Sequence, residues 1–199
     1  MTGIGTRDSG LGAREITPHE IDGGETTTSR VVHDDVLVLC LGNDILRDDG
    51  IGWAIADALE QSSSESRVPS PEPRIVVKRS ALSGFYLLDE LTGWDRVLVV
   101  DAVQTGQHPA GTVLSFPFEA LGTEEGPSPH AVGLPTVIRL GRRSGVPLPS
   151  WIHIVAIEAD DMESFVEGLT PAVEAAVPRA VAVIRSVLAH APAPASAPA

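Results

Sequence analysis

Four side chains, in three separate stretches of this sequence, could bind a metal ion. Asp48 and Asp49 follow an apolar run at residues 36–41, Asp101 ends a second apolar run, and His130 lies in a loop just ahead of a predicted helix. Carboxylate oxygens and an imidazole nitrogen together suit a divalent transition metal that keeps positions open for water or substrate. Because no HExxH or CxxC spacing surrounds these residues, the spacing alone does not show that they meet.

Each of these residues also has a purely structural interpretation. Asp48 and Asp49 stand where a helix start favours negative charge, so Asp48 is interpreted first as a helix cap. An aspartate at the end of a strand often forms a turn, and a histidine in a loop is usually solvated. On the residues alone, both interpretations of Asp101 and of His130 stay open.

The elements that must position these residues are predicted by hydrophobic periodicity. The run at 36–41 is typical of a strand buried on both faces, and Gly42 and Asn43 supply the turn that follows it. Further strands are predicted at 74–78, 96–101, 113–116 and 151–157. Helices are predicted from residue 51 onward, at 85–91, at 134–143, and from 171 to about 190 with Thr170 as cap and a kink at Pro178.

This alternation predicts an α/β fold, a three-layer sandwich in which a mostly parallel, five-stranded twisted sheet is covered by helices on both faces. Ligands of such sheets bind outside the carboxyl ends of the strands. Asp48 and Asp49 follow the first predicted strand and Asp101 ends the third, so we expect them to be neighbours. Glu158, Asp160 and Asp161 follow the fifth strand and either border the same cleft or cap a helix.

Length and composition exclude several classes of protein. A chain of 199 residues favours one domain, which we place at 35–190, between a flexible extension at 1–34 and a disordered Ala/Pro tail at 191–199. The net charge of −13 argues against nucleic acid and anionic membrane surfaces as partners. No signal peptide or membrane span is predicted, and no coiled-coil pattern occurs, so we expect a cytoplasmic monomer.

Other catalytic chemistries find little support. The single cysteine, Cys40, lies inside the first apolar run and is interpreted as a core residue in a reducing compartment. No G-x-S-x-G elbow occurs, and Gly42-Asn43-Asp44 lacks both the G-x-G-x-x-G fingerprint and a Walker lysine. His153 lies between two isoleucines of a predicted strand and is interpreted as a packed residue.

Three stretches in order carry a resemblance to a known family. Residues 42–52 read Gly-Asn-Asp-Ile-Leu-Arg-Asp-Asp-Gly-Ile-Gly, residues 99–106 read Val-Val-Asp-Ala-Val-Gln-Thr-Gly, and residues 128–134 read Ser-Pro-His-Ala-Val-Gly-Leu. Together with Gly-Leu-Thr-Pro at 168–171, they resemble the nickel-iron hydrogenase maturation endopeptidases, which trim the C-terminus of the hydrogenase large subunit. The resemblance covers about residues 36–188.

The resemblance implies a site made of Asp49, Asp101 and His130, which would contact nickel and carry the catalysis. It also implies that the nickel is supplied by the substrate, the large-subunit precursor, and serves as a recognition element for completed assembly. The residues expected to shape loops or contact substrate are Gly42, Asn43, Asp48, Gly50, Ser83 and Gly84. A non-catalytic nickel-binding or hydrogenase assembly module on the same fold is the alternative.

The sequence departs from the family pattern in two places. Members commonly carry a Gly-Gly-Thr turn after the second strand, whereas residues 79–84 read Arg-Ser-Ala-Leu-Ser-Gly and keep only the Ser-Gly end. The polar extension at 1–34 is also unlike the family, whose chains usually start at the first strand. The first departure leaves the wall of the cleft that follows the second strand without a family template, and the extension is interpreted as a regulatory or disordered arm.

Overall fold

The computed structural model describes residues 33–63, 74–121 and 134–193. The expected N-terminal extension, except its last two residues, and the tail from 194 lie outside these ranges. The strands are β1 His33–Leu41, β2 Ile75–Ser80, β3 Trp94–Val103, β4 Val113–Pro117 and β5 Trp151–Glu158. The helices are α1 Ile51–Ser63, α2 Leu87–Leu91, α3 Leu134–Arg143, α4 Pro171–Glu174 and α5 Val177–Ala189.

The strands form one sheet in the order β2-β1-β3-β5-β4. Neighbouring strands are parallel except for β4, which pairs antiparallel with β5 at one edge. The carboxyl ends of the four parallel strands therefore meet at a single edge of the sheet. This arrangement confirms the predicted α/β fold with a mostly parallel five-stranded sheet.

The sheet buries one hydrophobic cluster on each face, because successive side chains of a strand point to opposite faces. On one face, Val38 and Cys40 pack with α1 and α5. On the other face, Leu39 and Val99 pack with α2 and α3. Asp101 comes two residues after Val99 in β3, so its side chain belongs to the α2 and α3 face.

Several element boundaries differ from the sequence prediction. β1 begins earlier than predicted, because His33 still pairs with Trp94 across an irregularity in the register. The last helix is two helices rather than one kinked helix, and Pro178 lies in the first turn of α5. Proline is favoured at that position, since its missing N–H would have no partner within the helix.

The helix predicted at 85–91 is also composite. A 3₁₀ turn over Gly84–Tyr86 precedes α2, and a similar 3₁₀ turn over Phe118–Ala120 follows β4. Among the described residues, no helix combines the length and apolar character that a membrane crossing needs.

Candidate functional site

The end of β1 packs closely against the turn that carries Asp48 and Asp49. Gly42 has φ of +136°, and a Cβ built on it would lie 1.9 Å from the carbonyl oxygen of Asp49. A Cβ on Gly52, in the first turn of α1, would lie 2.1 Å from the carbonyl oxygen of Leu41. No side chain fits at either position, so these glycines allow the aspartate turn to fold back onto the strand end.

The turn between β1 and α1 is organised by Asn43. Its Oδ1 accepts a hydrogen bond from the Ile45 amide at 3.2 Å, and its carbonyl oxygen accepts one from the Leu46 amide at 3.1 Å. A 3₁₀ turn over Arg47–Gly50 then leads into α1. Side-chain hydrogen bonds of this kind fix a turn without help from either neighbouring element.

The carboxylate of Asp48 is fully buried and accepts four hydrogen bonds from the segment that follows β5. Oδ2 accepts from the amides of Asp160 and Asp161 at 2.9 and 3.0 Å and from the Thr170 hydroxyl at 2.9 Å. Oδ1 accepts from the Thr170 amide at 2.7 Å. The side chain therefore connects the turn after β1 to the segment after β5.

These bonds alter two expectations. The side chain of Asp48 is not a helix cap, since its described hydrogen bonds all go to the segment after β5. Thr170 does occupy the N-cap position of α4, but its hydroxyl makes no cap hydrogen bond. It donates instead to Asp48.

Asp49 and Asp101 are two more buried carboxylates at the carboxyl edge of the sheet. Their exposed fractions are 3% and 1%. Asp101 is paired in register with Ala156 of β5, and the 3₁₀ turn that contains Asp49 packs against β3. Carboxylate oxygens at the carboxyl edge of a parallel sheet are groups that could contact a positively charged ligand.

Glu158 is a further buried carboxylate at this edge, and the sequence left open whether it borders the cleft or caps a helix. Its Oε1 accepts hydrogen bonds from the Thr105 and Gly106 amides, both at 2.7 Å. Its Oε2 accepts from the Thr105 hydroxyl, also at 2.7 Å. Glu158 therefore fixes the loop that follows β3, the strand that carries Asp101. The available signal was an acid at a strand end, the same signal that pointed to Asp101.

A cavity of about 260 Å³ lies beside Asp101 on the α2 and α3 face. Its walls are mainly apolar, and its polar border comes from the loop that Glu158 holds. The apolar lining residues are Val103, Leu114, Phe116, Leu121, Ile154 and Ala156. The cavity is therefore large enough for an apolar side chain and lies next to a buried carboxylate.

Of the remaining predicted site residues, two lie in the turn after β2 and one lies in the aspartate turn. Ser83 is exposed, and Gly84 has φ of +58° with open space around it, so both are in the turn after β2. A Cβ on Gly50 would lie 3.2 Å from the Cα of Asp44, which makes Gly50 part of the tight aspartate turn. His130 lies outside the described residues, and its position relative to the carboxylates stays a prediction.

Other groups considered from the sequence lie away from this edge or are chemically inert. Burial raises the pKa of the Cys40 thiol to about 12, so the thiolate is scarce at neutral pH. His153 stacks on Trp151 and shares a 2.9 Å hydrogen bond with Ser115, and burial lowers its pKa. Within residues 33–63, 74–121 and 134–193, no three His, Cys, Asp or Glu side chains form a cluster able to hold a metal ion.

Comparison with known sequences gives consistent matches along most of the chain. The HycI family, described as hydrogenase maturation protease, matches residues 75–187. The chain is 31% identical over 156 residues to the hydrogenase 2 maturation protease of Escherichia coli K12, covering 77% of this chain and 90% of that protein. It is 25% identical over 150 residues to the hydrogenase expression/formation protein HoxM of Cupriavidus necator, covering 73% and 70%.

Solved structures show the same fold. The hydrogenase maturating endopeptidase HybD from E. coli superimposes with a TM-score of 0.59 at 28% identity, covering 78% of this chain and 92% of that chain. The [NiFe] hydrogenase maturation protease HybD from Thermococcus kodakarensis gives a TM-score of 0.55 at 25% identity, covering 77% and 99%.

Proposed function

Because the chain belongs to the hydrogenase maturation proteases, which are peptidases, we propose that it removes the C-terminal peptide of a nickel-iron hydrogenase large-subunit precursor. Nickel held by that precursor is the recognition element in this proposal, so the metal is part of the substrate. The observation that carries the proposal is the pair of buried carboxylates, Asp49 and Asp101, at the carboxyl edge of the sheet.

These carboxylates suit the proposed contact in position and in charge. The close approach at Gly42 holds the Asp49 backbone against the end of β1. The parallel register pairs Cys40 of β1 with Val100 of β3, so Asp101, the next residue of β3, lies at the same edge of the sheet. Nickel accepts both carboxylate oxygen and imidazole nitrogen ligands. His130 is the third proposed contact, and its assignment rests on the sequence resemblance alone.

Peptide hydrolysis needs a base near the scissile bond. As the water oxygen attacks the carbonyl carbon, a proton must leave the water, and the departing amine must gain one. Asp49 and Asp101 are the candidates for the group that takes the proton from water. The apolar cavity beside Asp101 offers a place for a side chain of the C-terminal peptide.

The direct test uses the nickel-loaded precursor encoded in the same genome as this chain. We expect mass spectrometry to show loss of its C-terminal peptide on mixing, and no loss when the precursor lacks nickel. Asp49→Asn, Asp101→Asn and His130→Ala should each abolish processing. Asp44→Asn is the matched control, because it removes the same charge from an exposed position in the same turn.

Two results would contradict the proposal in different ways. Equal processing of nickel-free and nickel-loaded precursor would show that nickel is not the recognition element. Tight binding of precursor with no change in its mass would favour the assembly module. The proposal also keeps the cytoplasmic location and monomeric state expected from the sequence, which fractionation and sedimentation can check.

A further inference from the structure

Exposed apolar side chains are concentrated at the carboxyl edge of the sheet. Of the eight large hydrophobic residues that are exposed in the described part of the chain, two lie elsewhere: Ile75 begins β2 at the amino edge, and Leu140 lies in the second half of α3. The other six follow β1, β2 and β5, and we call them the apolar rim: Ile45, Leu82, Phe85, Tyr86, Phe165 and Val166.

Single exposed apolar residues are ordinary on a protein surface, but a concentration of them around one site marks an interaction surface. The two most exposed rim residues are Phe165 at 80% and Tyr86 at 69%. Aromatic side chains such as these are enriched among the residues that dominate binding energy in protein interfaces.

Backbone hydrogen bonds attach the rim to the candidate site. The Arg47 amide, next to Asp48, donates to the Val166 carbonyl oxygen at 3.1 Å. On the other side, the Ser80 carbonyl oxygen accepts from the Gly42 amide at 3.1 Å, and the Ser80 hydroxyl oxygen accepts from the Leu82 amide at 3.2 Å. The rim is therefore built into the same hydrogen-bonded framework as the aspartate turn.

The rim lies on both sides of the buried carboxylates. Phe165 and Val166 come from the segment that leads to α4 and α5, on one face of the sheet. Phe85 and Tyr86 lead into α2, on the opposite face. The ends of β1 and β3, with their carboxylates, lie between these two apolar segments.

We propose that the apolar rim is the docking surface for the large-subunit precursor, contacting the precursor around the point where its C-terminal peptide emerges. This inference rests on the proposed function, since it takes that precursor as the partner. The precursor is the occupant that this location favours, because hydrogen bonds join the rim to the aspartate turn, and that turn carries one of the carboxylates proposed to contact the precursor.

The experiment measures affinity separately from cleavage. Phe165→Ser and Tyr86→Ser remove the two most exposed rim side chains, and Leu140→Ser, 44% exposed on α3, is the matched control. Binding is measured by biolayer interferometry on nickel-free precursor, and steady-state cleavage on nickel-loaded precursor. We expect each rim variant to raise Kd and KM about 10-fold or more with kcat nearly unchanged, as for interface hot spots, while Leu140→Ser matches wild type.

The possible failures are distinguishable. Rim variants that bind and cleave like the Leu140→Ser control would overturn the docking surface and leave the protease proposal standing. If the wild-type protein binds the precursor but does not cleave it, and the rim variants bind more weakly, the docking surface is supported and the protease proposal is removed. A wild-type dimer in sedimentation that Phe165→Ser converts to monomer would assign the rim to a second copy of this chain and overturn the inference.

Discussion

Replacing Asp48 with asparagine should destabilise the protein far more than its small change in size suggests. The carboxylate accepts four hydrogen bonds, and three of the donors are backbone amides that have no alternative rotamer. Asparagine keeps one acceptor oxygen and adds an NH₂ group. In either orientation, that NH₂ group faces at least one of the backbone N–H donors.

The magnitude follows from those donors. One lost hydrogen bond to a charged group costs about 1.5–3 kcal/mol, and a buried donor left without a partner costs about 1–3 kcal/mol. We therefore expect Asp48→Asn to lower the free energy of unfolding by about 3 kcal/mol, which for a domain of this size lowers Tm by roughly 6–12 °C.

Urea unfolding followed by circular dichroism measures this loss. Thr170→Val removes only the hydroxyl donor and should cost about 1 kcal/mol. Asp44→Asn makes the same chemical change at an exposed position and should stay within about 0.5 kcal/mol of wild type. If Asp48→Asn also stays within that range, the argument from its four hydrogen bonds is wrong.

Three further predictions concern positions with different physical demands. Gly42→Ala should lower the free energy of unfolding in urea by more than about 3 kcal/mol, because its Cβ would overlap a backbone oxygen. Gly145→Ala, at φ of +74° in open space, should cost only about 1–2 kcal/mol. Equal costs for the two variants would contradict the contact argument. The Cys40 thiol, with its pKa raised to about 12 by burial, should not react with Ellman's reagent in the native protein and should react fully after denaturation; fast native labelling would refute its burial. The Arg79 side chain holds the pKa of Glu60 below its usual value of 4.5 by a hydrogen bond, so this pair stabilises the fold above that pH and loses its effect as pH falls through the lowered pKa. Arg79→Leu should then cost about 0.5 kcal/mol at neutral pH, as for an exposed ion pair, and a cost that persists undiminished in strong acid would contradict the electrostatic cause.

The sequence predicts those parts of the fold that depend on local patterns. The apolar run before Gly42 predicts a strand buried on both faces, and Cys40 is indeed fully buried within it. The helix predicted at 134–143, from its amphipathic pattern and a proline in its first turn, has the same bounds as α3. The order of strands and helices was sufficient to predict the layered architecture.

The rest depends on contacts that no local pattern contains. Nothing near Asp48 indicates that its hydrogen-bond donors come from the segment after β5, so helix capping was the simpler local explanation. Glu158 fixes the loop after β3, yet only the tertiary fold brings that loop to its carboxylate. Pro178 is compatible with either a kink or a new helix start, and local sequence does not decide between them. His130 lies outside the described residues, so its place in the site is still a prediction from resemblance.

The bond between Asp48 and Thr170 has a consequence for how the protein is made. The two residues are 122 positions apart in the chain. A ribosome adding roughly 5–20 residues per second needs about 6–24 s to cover that interval. Until Asp160, 112 positions after Asp48, has been added, the Asp48 carboxylate must stay hydrated, because none of its donors yet exists. The aspartate turn can therefore reach its final form only when synthesis is nearly complete, and a chain released early should be inactive rather than partly active.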